Sequence, residues 1–83
     1  MEYCLITFRS VTPAQRGEGI LHRSGYPCSL RRTPRWMEEQ GCGYSLHLRR
    51  QDALAAAELL RSHRIPFRKV YLWQEGAVQE LSL

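Results

Sequence analysis

Residues 44–49, Tyr-Ser-Leu-His-Leu-Arg, alternate side chains of opposite polarity along their length, and a period of two marks a strand with one buried face. Directly after it, residues 51–63 are Ala-rich, with Asp52 in the first turn and Arg61 and His63 in the last. That pattern predicts a helix whose end charges suit the backbone dipole. Leu54, Ala57 and Leu60 supply its expected buried stripe. Residues 67–73, aromatic and β-branched at their core, read as a further strand.

The first half of the chain repeats this order. Tyr3-Cys4-Leu5-Ile6-Thr7-Phe8-Arg9 reads as a strand. In Thr12-Pro13-Ala14-Gln15 the Thr hydroxyl suits an N-cap, Pro13 the first helical position, and Gln15 the far corner of a capping box. Ile20 and Leu21 are the expected apolar contacts of this helix and Gly25 its stop. Gly17 and Gly19 each cost a helix about 1 kcal/mol relative to Ala; a close approach to the sheet would account for Gly17. Residues 27–31 predict a second strand with Cys28 and Leu30 on one side.

Two strand–helix–strand units in one small chain predict an α+β, ferredoxin-like βαββαβ domain over residues 1–73. Its sheet is four-stranded and antiparallel, with both helices on one face. The tail, residues 74–83, adds an extra C-terminal strand through a hairpin at Glu75-Gly76 or frays. The expected core is Cys4, Ile6, Phe8, Cys28, Leu30, Leu46, Leu48, Val70 and Leu72. Tyr3, Leu5, Thr7, Ser45, His47, Tyr71 and Trp73 fall on the opposite face, open to water or a partner.

Composition narrows the function classes. With 43% hydrophobic residues in a chain of 83, the protein can fold as one domain, though a chain this short buries only about 60% of its unfolded surface. No apolar run approaches the roughly 18 residues of a membrane span, and Met1-Glu2-Tyr3-Cys4 lacks the basic segment of a signal peptide, so a cytoplasmic location is expected. The net charge of +4 comes from arginines, with Lys69 the single lysine. It favours anionic partners without choosing among nucleic acid, phosphate and an acidic protein face.

Three cysteines, Cys4, Cys28 and Cys42, with no Cys-x-x-Cys pair, argue against a disulfide scaffold or a thiolate metal site. Cys4 and Cys28 alternate with core positions and read as packing groups. Cys42 differs, because it lies between Gly41 and Gly43 at the start of a strand. In the expected fold the preceding loop lies at the same end as the first helix N-terminus, with Arg9, Arg35 and Arg64 nearby. Positive potential of that kind lowers a thiol pKa. Trp36, in the same loop, either covers the core edge or meets a partner beside the thiol. His22, His47 and His63 show no ligand spacing with acidic residues, and Gly17-Glu18-Gly19 sits inside a helix pattern, so neither a metal centre nor a dinucleotide loop is indicated. No cofactor is called for.

Tyr3-Cys4-Leu5-Ile6-Thr7-Phe8, Thr33-Pro34-Arg35 and Gly41-Cys42-Gly43 together resemble a family of small bacterial proteins described as selenium/sulfur carrier-like, over roughly residues 2–73. The resemblance implies that Cys42 holds sulfur or selenium as a persulfide or selenopersulfide. It implies a relay without turnover of its own, taking the atom from a donor such as a cysteine desulfurase-type enzyme and passing it to an acceptor protein. Gly43 corresponds to the glycine after the family's cysteine, and Pro34-Arg35 to the pair before it; Gly41 adds flexibility, and Arg35, with Arg9, supplies positive charge. The sequence departs from the pattern at Trp36-Met37-Glu38-Glu39-Gln40-Gly41, where bulk and two carboxylates replace a serine-rich stretch.

The alternative is a binding or regulatory module of the same fold acting through its open sheet face. Tyr3, Tyr71, Trp73, His47 and Arg31 suit either single-stranded RNA or a homodimer. Strand 44–49 lacks the aromatic signature of RNA-recognition strands, which favours self-association.

Overall fold

A computed structural model describes residues 2–33, 43–74 and 76–82. The elements are β1 (Glu2–Phe8), α1 (Val11–Arg23), β2 (Cys28–Arg32), β3 (Tyr44–Arg49), α2 (Ala53–Ser62), β4 (Val70–Gln74) and β5 (Ala77–Leu81). The strands form one sheet in the order β2-β3-β1-β4-β5, and every neighbouring pair is antiparallel. The fold is α+β, as expected. It departs from the four-stranded expectation because β5 pairs along β4, from Gln74 opposite Ala77 to Val70 opposite Leu81. Gly76, at φ +83°, supplies the left-handed turn residue that such a hairpin needs.

The core is aliphatic and lies between the sheet and both helices. Cys4, Ile6 and Phe8 of β1, Leu46 and Leu48 of β3, and Val70 and Leu72 of β4 meet Ala14 and Leu21 of α1 and Ala53, Ala56 and Leu60 of α2. Cys28 and Leu30 of β2 pack against this cluster while only partly buried. Gly17 shows why α1 tolerates a glycine. A Cβ there would meet Leu60 Cδ2 at 3.1 Å and Leu46 Cδ1 at 3.3 Å, so the missing side chain is what lets α1 approach both α2 and the sheet. No comparable neighbour faces Gly19, whose nearest contact is the flexible Arg23 guanidinium.

The helix ends differ from the sequence reading in three places. The N-cap of α1 is Ser10 in an extended conformation, so Thr12 is already helical and Pro13 sits at the third position, still within the turn where a missing N–H is harmless. Before α2, Arg50–Asp52 forms a short 3-10 turn, and the buried Asp52 accepts a 2.9 Å hydrogen bond from Arg49 Nε instead of capping the helix. The buried stripe of α2 is Ala53, Ala56, Ala57 and Leu60, and Leu54 is 55% exposed. Ala53, Ala56 and Leu60 join the core cluster.

Both helices close with the same C-terminal motif. Gly25 N–H donates to the His22 carbonyl and Tyr26 N–H to that of Leu21; likewise Arg64 N–H donates to Arg61 and Ile65 N–H to Leu60. The motif requires a left-handed residue after the cap. Gly25 fills it at φ +87°, whereas Arg64 fills it at φ 56° with a side chain present.

Residues 67–69, expected as strand, instead carry the chain back onto β1. Arg68 N–H donates to the Thr7 carbonyl at 2.7 Å, and Thr7 N–H to that of Lys69 at 2.9 Å. The Thr7 hydroxyl donates to the Lys69 carbonyl and accepts from Lys69 N–H. Thr7 is therefore buried on the face expected to be open, and so are Leu5 and Ser45. Leu5 lies opposite His47 on β3 and Tyr71 on β4, flanked by their rings, and no helix among the described residues covers this face.

Candidate functional site

The expected carrier thiol, Cys42, and with it Gly41, Pro34, Arg35 and Trp36, lie outside the described residues. What the structure defines is the base from which that segment departs and to which it returns. Thr33 N–H donates to the Gly43 carbonyl at 3.0 Å, so the two ends of residues 34–42 are held together. Thr33 and Gly43 are both buried, and the buried Thr33 hydroxyl has no hydrogen-bond partner among the described residues.

Register locates this base. Tyr44, next to Gly43, lies opposite both Phe8, the last residue of β1, and Arg32, the last of β2. It therefore stands at the end of the sheet where α1 begins. There Arg9, Ser10 and Pro13 line a cleft of about 390 Å³ with Pro66, Phe67 and Arg68. Arg9 is exposed, as is Arg68. A helix N-terminus flanked by guanidinium groups raises local positive potential. Sequence reasoning had placed Arg9 at this end; Arg68 it counted only towards net charge. The signal that could have found it is Pro66, after which the chain brings residue 68 onto Thr7.

The other two thiols occupy different environments. Cys4 is fully buried in the core. Cys28, half-buried at the edge strand, has its thiol pKa pushed up to about 11, first by burial and then by the Glu18 carboxylate. Glu18 is held there because it accepts a 3.2 Å hydrogen bond from Leu30 N–H. Neither position favours the thiolate that sulfur transfer needs. His22 Nε2 donates to the Cys28 carbonyl at 2.9 Å, tying the last turn of α1 to β2.

The opposite face carries a row of rings. Tyr3 stacks on Trp73 at 5.7 Å between centroids and on His47 at 5.6 Å, with planes within 14° and 23° of parallel. His47 is hydrogen-bonded to the buried Ser45 hydroxyl at 3.1 Å. Its pKa falls to about 4 through burial first and then the positive charge of Arg31. Among the described residues, no group of three His, Cys, Asp or Glu side chains is placed to hold a metal ion, and no helix is long and apolar enough to cross a membrane.

The sequence model of a family described as "Putative Se/S carrier protein-like" matches residues 3–72. No curated protein matches, and no solved structure does.

Proposed function

The chain belongs to the Se/S carrier protein-like family, and from that premise we propose that it carries sulfur or selenium on Cys42 and relays it between a donor enzyme and an acceptor protein. The observation that carries this reading is the family match itself. Its span of residues 3–72 includes both Thr33-Pro34-Arg35 and Gly41-Cys42-Gly43. The frame is read as ferredoxin-like, with β5 added at the β4 edge.

The chemistry is a displacement at sulfur. The Cys42 thiolate attacks the outer sulfur of a persulfide on the donor. That S–S bond breaks, a new one forms on Cys42, and the electron pair leaves on the donor's thiolate. A second exchange of the same kind hands the atom to the acceptor. Such a relay needs an accessible, partly ionised thiol on a segment that can enter two active sites. Glycines on both sides of Cys42 suit that movement, and the Thr33–Gly43 bond fixes where the segment is anchored. Arg9 and the α1 N-terminus, with Arg35, are the proposed sources of positive potential. Cys4, enclosed in the core, and Cys28, held as a neutral thiol, suit the carrier role poorly.

The test has two readouts. At pH 7 Cys42 alkylates with iodoacetamide faster than Cys4 and Cys28. Incubation with a cysteine desulfurase and its substrate then adds one sulfur or selenium atom to the wild type and none to Cys42→Ser. Equal labelling of all three thiols, or an unchanged mass gain in Cys42→Ser, overturns the assignment.

A further inference from the structure

The ring row on the helix-free face ends one position short. Trp73 on β4, Tyr3 on β1 and His47 on β3 stack in sequence. The next position belongs to Ser29 on β2, directly opposite His47 in the register. A serine leaves that place empty. The resulting cavity, about 560 Å³, is lined by Tyr3, Pro27, Ser29, Arg31, His47 and Arg49 among others, and its size falls within the range of small-molecule sites.

We infer that this slot binds a nucleoside monophosphate, its base stacking on His47 above Ser29 and its phosphate held by Arg31. Side chains of directly paired residues share a face of the sheet, so Ser29 forms the floor of the slot and His47 its wall. Arg31 is exposed and stands two residues from Ser29 on β2, at one end of the slot; Arg49 stands two residues beyond His47 on β3, at the other end. Guanidinium groups present paired donors that match phosphate oxygens. Asp52 is the carboxylate bonded to Arg49, through Nε. A neutral His47 adds no charge of its own, so the selectivity for an anion rests with Arg31.

A single-stranded nucleic acid fits the face less well. Tyr3 has one ring on each side, Trp73 and His47, so its π-faces are already used. A strand of bases needs several open platforms in succession, and this row offers one vacancy.

The test titrates the full chain with adenosine monophosphate, adenosine, inorganic phosphate and a short single-stranded RNA, followed by amide chemical shifts. The nucleotide is expected to bind most tightly and to perturb residues 29, 31, 47 and 49. Its affinity should fall about tenfold or more in Ser29→Trp, which fills the slot, and in Arg31→Glu, which reverses the charge. Arg31 is exposed, so Arg31→Glu reports on binding even where Ser29→Trp disturbs the fold, and circular dichroism checks both. Four outcomes overturn the inference: no nucleotide binding at millimolar concentration, phosphate or adenosine binding as tightly as the nucleotide, RNA binding more tightly than the nucleotide, or a dimer in solution that Ser29→Trp dissolves.

Discussion

The two faces of this sheet are buried by different means. On the helix side, Ile6, Leu46 and Leu72 disappear beneath alanines and leucines of α1 and α2, and burial follows from layer packing. On the other side no helix exists among the described residues, yet Leu5, Thr7 and Ser45 are as buried as the core. Among the described residues, what lies beside them on this face is stacked rings, the Thr7–Lys69 backbone bonds and the Ser45–His47 hydrogen bond. The difference teaches that the helix-free face is a constructed surface with polar and aromatic parts in fixed places, which is what a binding face requires. The helix face, built almost wholly of apolar side chains, holds the fold together.

The largest expected effect tests the helix face. Leu46 is fully buried and touches the packing around Gly17, so Leu46→Ala should destabilise the protein by about 2–5 kcal/mol. Urea unfolding measures it, and the midpoint should fall. A loss below about 1 kcal/mol would mean that the two faces do not differ in how they store stability.

How much of this contrast was legible in the sequence depends on the signal. Strict alternation in residues 44–49 assigned Leu46 and Leu48 to one side and Ser45 and His47 to the other, and the structure agrees. Alternation assigns a side but says nothing of what covers it, so Leu5 and Ser45 were expected to be open. In α2 an Ala-rich sequence leaves the phase of the buried stripe loosely determined, because alanine fits either side; Ala57 and Leu60 are buried as expected, whereas Leu54 is exposed and Ala53 and Ala56 take its place. Gly25 announced the end of α1. Arg64 gave no such sign, since only the burial of Ile65 and the two bonds of the motif hold an arginine in a left-handed conformation. The β5 strand hung on Gly76 alone, and the chain offered no way to choose between a hairpin and a frayed tail. Of the candidate site, the family motif points to Cys42, which lies outside the described residues, and the fold order placed Arg9 at the end where α1 begins. The Ser29 slot and Arg49 escaped notice because a missing side chain leaves no mark in a sequence.

A smaller effect tests the ring face. Tyr3→Leu keeps an apolar side chain but removes both stacking contacts, and each such pair contributes roughly 0.5–1.5 kcal/mol. The expected loss is about 1–2 kcal/mol, less than for Leu46→Ala. The slot should lose its ordered wall at the same time. A Tyr3→Leu protein as stable as the wild type would mean that the rings are merely adjacent, and the second means of burial would fail.

The smallest effect is the most specific to the helix-free face. His47 has its pKa lowered from 6.5 to about 4 by burial and by Arg31, so the folded protein disfavours the charged ring while the unfolded chain does not. A group of this kind binds more protons unfolded than folded at mildly acidic pH, and stability must then fall as pH decreases. The sign and the window follow: above pH 6.5 both states hold a neutral imidazole and nothing is lost. Between 6.5 and about 4 the loss grows, and below that window it is constant. The imidazole is only half-buried, and solvent moderates the penalty. His47→Phe retains a flat ring beside Tyr3 and removes the titration, so its stability should decline less steeply than the wild type's between pH 7 and pH 4. Thermal unfolding of the two proteins across that range measures the difference, and the carboxylates common to both cancel. Parallel curves would show that His47 ionises as freely in the fold as in water. The helix-free face would then be wet where the structure makes it sheltered.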